Sequence, residues 1–297
     1  MRKLTIVVNC TERKAVIPTP LVSVRTLPAG TIGSRFVEWE ARVAGAVSAM
    51  KLADLYRGDA WFQAKSLATD AVEAGFDTQF LVASAGLGLR DTDTAGPAYA
   101  ATFAAGHADT VAAGTEGIRQ WWSHLGQLPS ALRLSTDTHE SVMLVLSESY
   151  ARAMDDDLIQ LAGRGGDLLL VGGSRDIDGL PRIPADRALR NALGGATSSL
   201  NLRMARRWLS TRSSDRLHSD DDEDNWSKWA ANTRKVENYG RLPGTDDEIA
   251  RQIEILIGID PTLSATKALR QFRDLGFACE QKRFGGLFRE TRKACLS

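Results

Sequence analysis

Asn9, Ser84 and Ser174 each stand just past an apolar run: LTIVV, TQFLVA and DLLLVGG. Aspartates, small residues and aromatic side chains lie close to them in sequence. Side chains of these kinds are sufficient to cleave an N-glycosidic bond. A carboxylate can orient water and stabilise an oxocarbenium-like transition state, while polar donors hold the departing base. An aromatic face can support the base by stacking.

Other chemistries lack their sequence signatures. The chain has no GxxxxGK[ST], no GxGxxG after its first strand, no GxSxG, no HExxH and no HxE with PCxxC. These absences weaken phosphoryl transfer, hydride transfer and metallohydrolysis together. His107 has no HxxxH or HxH partner, and the acidic Asp155, Asp156 and Asp157 are more simply the solvated start of a helix. Neither a metal nor a cofactor is expected.

The three apolar runs read as buried strands of an α/β fold, and in an open parallel sheet the ligand crevice lies beyond the carboxyl ends of the strands. Ser84, Ala85 and Gly86 are small enough to let a ligand approach the backbone. After the first strand, residues 11–33 carry three prolines and read as a long irregular loop. Arg13 and Lys14 stand at its start, either as phosphate or carboxylate contacts or as two solvated charges. A helix is expected over 35–52, with Phe36, Val43, Val47 and Met50 as its core stripe. Another is expected from Ala60, with Asp59 as N-cap and Gly75 at its end. The competing reading of that turn is functional, with Asp54, Tyr56 and Asp59 pointing into the pocket and Trp61 and Phe62 as core residues or base stackers. A further helix is expected from Asp137, with Glu140 completing a capping box, through SVMLVLSESYARAM.

Lys plus Arg and Asp plus Glu both number 37 in the 297 residues, so attraction to nucleic acid requires local segregation of charge. LNLRMARRWLSTR predicts a basic helix carrying Arg203, Arg206 and Arg207. HSDDDEDN reads as an acidic linker. From Pro243 onward three helices are expected, with Ser264 capping the second and Gly276 ending it, in a helix-turn-helix-like arrangement. Residues 264–297 hold eight basic side chains, among them Lys267, Arg270, Arg273, Lys282, Arg283 and Arg289, against three acidic ones. Gly285 and Gly286 would weaken the last helix. The expected organisation is an α/β domain over 1–215, a polar linker over 216–242 and a DNA-binding module over 243–297. Three cysteines without paired spacing fit a reducing cytoplasm, and no run of about 18 apolar residues predicts a membrane span.

Several short motifs occur in a recognisable order: N-C-T-x-R-K after the first strand, then A-D-L-Y-x-G-D-x-W-F, V-x-S-A-G-x-G-L, Y-A-A-T-F and D-x-V. Over residues 4–175 this order resembles the YaaA-like superfamily of bacterial proteins, whose fold is similar to that of uracil-DNA glycosylases. The resemblance implies a parallel-sheet sandwich. It also implies a role like that of defence-associated relatives that excise hypermodified bases from phage DNA. The chain departs from uracil-DNA glycosylases in lacking their GQDPY and HPSP loops, so their catalytic positions do not transfer.

Where the motifs coincide, the resemblance implicates Asn9, Cys10, Thr11, Asp54, Tyr56, Gly58, Asp59, Ser84, Gly86, Tyr99, Thr102, Phe103 and Asp109. The expected mechanism has Asp59 or Asp109 orienting water, Asn9 reading the base edge, and Tyr99, Phe103 or Trp61 stacking on a flipped base. Flipping costs a few kcal/mol, and stacking offsets about 1–3 kcal/mol of it per base. A lyase step would need a lysine, and Lys14, Lys51 and Lys65 are equivalent at this level. Two other readings are a nucleoside or nucleotide hydrolase or deoxyribosyltransferase acting on free substrates, and a non-catalytic DNA-binding regulator.

Overall fold

The structure, a computed structural model, describes residues 2–47, 50–235 and 242–295. The chain forms two compact units, Met1–Lys235 and Val236–Ser297.

The first unit is a mixed α/β fold built on a six-stranded sheet. In chain order its strands are β1 (Arg2–Asn9), β2 (Phe76–Ser84), β3 (Gly88–Asp91), β4 (Ser141–Leu146), β5 (Leu168–Gly172) and β6 (Arg182–Ile183). They lie side by side in the order β3-β2-β1-β4-β5-β6, all parallel except β3, which folds back antiparallel on β2. Leu4–Val8, all of β4 and all of β5 are buried. Strands covered on both faces have no polar side to present, so they read as continuous apolar runs.

Such a run fits a buried strand and a buried helix turn equally well. Ser141–Leu146 is a central strand rather than part of a helix starting at Asp137, and only Glu148–Ala153 beyond it is helical. All six residues pack between β1 and β5, where β-branched Val142 and Val145 suit a pleated surface. The apparent capping box is a turn, with Glu140 N donating to Asp137 O and the Glu140 carboxylate accepting from Thr5 Oγ1.

The helices of this unit longer than four residues are α1 (Ile32–Ala44), α2 (Asp59–Glu73), α3 (Gly114–Leu125), α4 (Glu148–Ala153), α5 (Asp155–Arg164), α6 (Leu200–Thr211) and α7 (Asp220–Thr233). α1 is capped by Thr31 and buries Phe36 and Trp39. It ends before Val47, which is 83% exposed, while Met50 pairs with Gly96 in a separate two-stranded ribbon. The expected stripe therefore overruns the helix. The N-cap of α2 is Gly58, at φ +100°, and Asp59 is the first helical residue with its carboxylate turned elsewhere. Gly75, at φ +88°, follows the helix end as expected.

The acidic stretch expected to be a linker is the first turn of α7. Asp220, Asp221, Asp222 and Glu223 crowd the N-terminus of a helix capped by Ser219, where the backbone dipole favours negative charge. Trp226 and Trp229 from α7 pack against the first unit's core, Trp226 edge-on to Trp208 of α6 at 5.8 Å. The part of the expected linker over 236–241 lies outside the described residues.

The second unit has the three expected helices, α8 (Asp246–Ile259), α9 (Ala265–Asp274) and α10 (Gln281–Cys295). Thr245 and Glu248 form a capping box on α8, Ser264 caps α9, and Gly276 turns the chain at φ +92°. Ile249, Ile253, Leu269, Phe272, Phe284 and Phe288 form its own core. α10 runs unbroken through Gly285 and Gly286. Among the described residues no helix is long and apolar enough to cross a membrane.

Candidate active site at the carboxyl edge of the sheet

From β1 the chain passes through α2 to β2 on one side, whereas from β4 it passes to β5 on the other. The winding therefore reverses between β1 and β4, and at such a point the helices of neighbouring connections diverge and leave a crevice. Asn9 closes β1 there. Its Oδ1 accepts from Ser147 N just past β4 at 3.0 Å, leaving its Nδ2 outside any hydrogen bond among the described residues. Asn201, from the first turn of α6, donates to Leu146 O at 3.0 Å. Gly172, at φ +91°, makes room for it, since a Cβ there would lie 2.2 Å from Asn201 Nδ2. Ser174, half-buried, follows on the same edge.

The register sets Cys10 level with Ser84 on one side and Ser147 on the other. Cys10 Sγ meets the Tyr150 hydroxyl at 2.9 Å. Ser84 Oγ accepts from Gly86 N and Leu87 N, at 3.3 and 2.9 Å, and meets the Tyr99 hydroxyl at 2.6 Å. With both lone pairs of Ser84 engaged, its proton goes to Tyr99, whose hydroxyl also meets that of Tyr56 at 2.9 Å. Burial pushes the pKa of Tyr56, Tyr99 and Tyr150 well up, so all three phenols stay protonated.

Lys14 borders this cluster. Its Nζ stands 4.3 Å above the Tyr99 ring and 5.7 Å from that of Tyr56, within reach of the Thr11 and Glu12 carbonyls at 3.3 and 3.4 Å. Residues 13–15 are strapped to 55–57, with Arg57 N donating to Arg13 O and Ala15 N to Leu55 O. Thr11 Oγ1 braces the same turn against Arg13 O and Arg57 O. The sequence motifs around Cys10 and Tyr56 thus meet in one loop pair, while the Arg13 and Asp54 side chains face solvent.

The hollow expected beyond β2 is filled. Ser84, Ala85 and Gly86 are buried, and Trp121 and Trp39 donate their indole N–H groups to Ala85 O and Gly86 O at 2.9 Å. A Cβ on Gly86 would stand 2.4 Å from the Tyr99 ring, so this glycine admits an aromatic side chain rather than a ligand. Tyr99, Phe103 and Trp61 are at most 2% exposed and are core residues, not free stacking faces. Phe103 packs edge-on against Tyr150, and Trp61 lies against Tyr56 and Phe80. Phe62 is the exposed member of the Trp61–Phe62 pair.

The two carboxylates differ in commitment. Asp109 is 1% exposed and accepts from Ser23 Oγ (2.5 Å), Arg25 N (3.2 Å) and Arg25 Nε (2.9 Å), with Arg25 Nη2 also in contact. Burial opposes its charge, yet these bonds hold its pKa down to about 2. Thr102 pairs with the same segment through the main chain, and His107 Nδ1 accepts from Asp109 N. Asp109 is thus an anchor for the loop after β1. Asp59 remains 44% exposed at its side chain, bonded to Ser199 Oγ at 2.6 Å and Arg203 Nη2 at 2.9 Å. The Ser199 hydrogen bond, with Arg203, lowers its pKa despite partial burial. Ser199 and Arg203 flank Asn201 at the start of α6, so Asp59 belongs to the same edge as Asn9.

Sequence reasoning missed Ser147, Tyr150, Ser199 and Asn201. SVMLVL followed by Ser-Glu-Ser has the same ending as the other strands, a signal that the capping-box reading hides. The basic helix is also reassigned. Arg203 pairs with Asp59, Arg206 pairs with Asp70 at 2.7 Å and Gln63 at 2.7 Å, and Arg207 stacks on Trp229 at 4.2 Å. These arginines join α6 to its neighbours rather than forming a solvated cationic face. In the second unit Lys267, Arg270, Lys282 and Arg289 are exposed, whereas Arg283 is bridged to Asp246 and Arg273 reaches Cys279 O. Lys282, Gly285 and Arg289 line a cleft of about 430 Å³ between α9 and α10.

Among the described residues no group of three His, Cys, Asp or Glu side chains could hold a metal ion. Comparison with family models, with curated proteins and with solved structures found no match to the chain.

Proposed function

We propose that the protein hydrolyses the N-glycosidic bond of a modified nucleotide in DNA, at the carboxyl edge of the sheet where the winding reverses between β1 and β4. The observation that carries this reading is the Asn9 amide, fixed through Oδ1 by Ser147 N at the reversal of winding with its Nδ2 left to donate. A base edge rich in acceptors would satisfy that donor. Asp59, ionised at neutral pH and partly open to solvent, orients the attacking water and balances positive charge developing on the sugar. Asp109, with both oxygens engaged by Ser23 and Arg25, positions the loop that carries Lys14. The exposed cations of α9 and α10 supply contacts to phosphate. The likeness of the motif order to the YaaA-like superfamily supports the same reading, including a uracil-DNA-glycosylase-like sheet.

The test incubates the full chain with phage DNA carrying different base modifications and identifies released base by mass spectrometry. Asp59→Asn is expected to lower release by about 10²-fold or more, and Asn9→Ala to reduce it more modestly. Wild-type rates in both variants would overturn the assignment. One finding favours a second reading, hydrolysis of free nucleosides: Arg203 and Arg206 are neutralised within the fold. Under that reading, removal of residues 236–297 leaves activity unchanged.

A further inference from the structure

We propose that Lys14 is an amine nucleophile toward the ring-opened aldehyde of an abasic deoxyribose, so that base removal is followed by cleavage of the strand. The inference rests on the proposed action at glycosidic bonds in DNA and concerns what happens to its product.

Three lysines follow from the sequence as equivalent, and the fold separates them. Lys51 is exposed and paired with Asp93 at 3.0 Å, and Lys65 is exposed on α2. Lys14 alone of the three lies against the strand-end cluster, in the loop that leaves the central strand β1. Its ammonium has no carboxylate within salt-bridge distance among the described residues, only two carbonyls and the faces of Tyr99 and Tyr56. Burial lowers its pKa against the raising pull of Cys10, Glu12 and Asp109. A lysine desolvated beside apolar rings is deprotonated more readily, and the neutral amine is the reactive form. The strap between residues 13–15 and 55–57 holds it there.

The sequence of steps balances without any added reagent. The Nζ lone pair attacks C1′ of the aldehyde, and the carbinolamine hydroxyl takes a proton from solvent and leaves as water to give a protonated imine. The C2′ proton passes to water, a C2′=C3′ bond forms, and the C3′–O bond breaks with its electron pair leaving on the 3′-phosphate. Water then hydrolyses the imine, restoring the amine and releasing an unsaturated aldehyde on the cut strand.

The experiment gives the full-length protein a duplex whose single abasic site has been formed beforehand, in the presence of sodium borohydride. Reduction of the imine is expected to yield a covalent protein–DNA adduct, mapped by peptide mass spectrometry to Lys14. Lys14→Met should lower adduct yield at least tenfold, while Lys65→Met retains it, with thermal melts confirming that both variants fold. Absence of adduct with the wild-type protein, or an adduct mapped to a different lysine, overturns the inference, and the wild-type mapping needs no variant. Because the abasic site is supplied, trapping is independent of base release. Trapping without base release would refute the glycosidic reading alone, and base release without trapping would refute this inference alone.

Discussion

Tyr99 shares its hydroxyl between Ser84 and Tyr56 in a region closed to solvent. Tyr99→Phe leaves two buried hydroxyls short of a partner, so a loss of about 1–3 kcal/mol is expected in urea denaturation. Asp109 offers a pH-resolved test. Its native pKa of about 2 lies below the ordinary carboxylate value, so acid is taken up first by the unfolded chain. The Asp109 contribution, of order 2 kcal/mol by linkage, is complete above about pH 4 and disappears as pH falls through the native pKa. Asp109→Asn should therefore flatten the acid limb of the stability curve over that window, and an unchanged limb would show that Arg25 and Ser23 do not hold the carboxylate. The residue types at the edge were legible in the sequence: Asn9, Cys10, Tyr56, Ser84 and Tyr99 do converge. Their exposure was not, because a tyrosine beside a glycine reads equally as a stacking face or as a ring packed over that glycine.

At the scale of elements, the turn after β2 depends on absent side-chain volume. Gly86→Ala sets a methyl group against the Tyr99 and Trp39 rings, and overpacking of that kind costs about 1–3 kcal/mol. A thermal melt would detect it, and a neutral result would mean that the rings repack freely. α7 makes the opposite prediction to that of a linker. Trp229→Ala removes the stack with Arg207 and the packing against Trp226, 4.9 Å between ring centroids, and should destabilise the first unit measurably. Helices with a periodic apolar face, such as α8, α9 and α10, were readable because their caps and stripes agree. β4 was not, since six apolar residues fit a buried strand or a buried helix turn equally well and only the neighbours β1 and β5 decide.

At the scale of the molecule, the neutral total conceals segregation within the second unit. Residues 236–297 contain ten basic and nine acidic side chains, with the acidic ones concentrated in α8 and its flanks and the basic ones in α9 and α10. Combined Lys267→Ala, Lys282→Ala and Arg289→Ala substitutions should weaken DNA binding across sequences and make its salt dependence shallower by roughly one unit of slope for each phosphate that is no longer neutralised. Fluorescence anisotropy over a salt series measures this, and an unchanged slope would mean that the second unit does not touch DNA.

Composition, apolar runs and caps determined on their own that the chain has a buried sheet, a set of amphipathic helices and polar residues at strand ends, since these follow from burial and local hydrogen bonding. Tertiary structure alone decided the place of β4, the reversal of winding beside Asn9, the pairing of Arg203 with Asp59, and the setting of Lys14 among tyrosines. Each of those depends on residues far apart in the chain coming together, and no local pattern encodes which distant neighbour will desolvate or neutralise a given side chain.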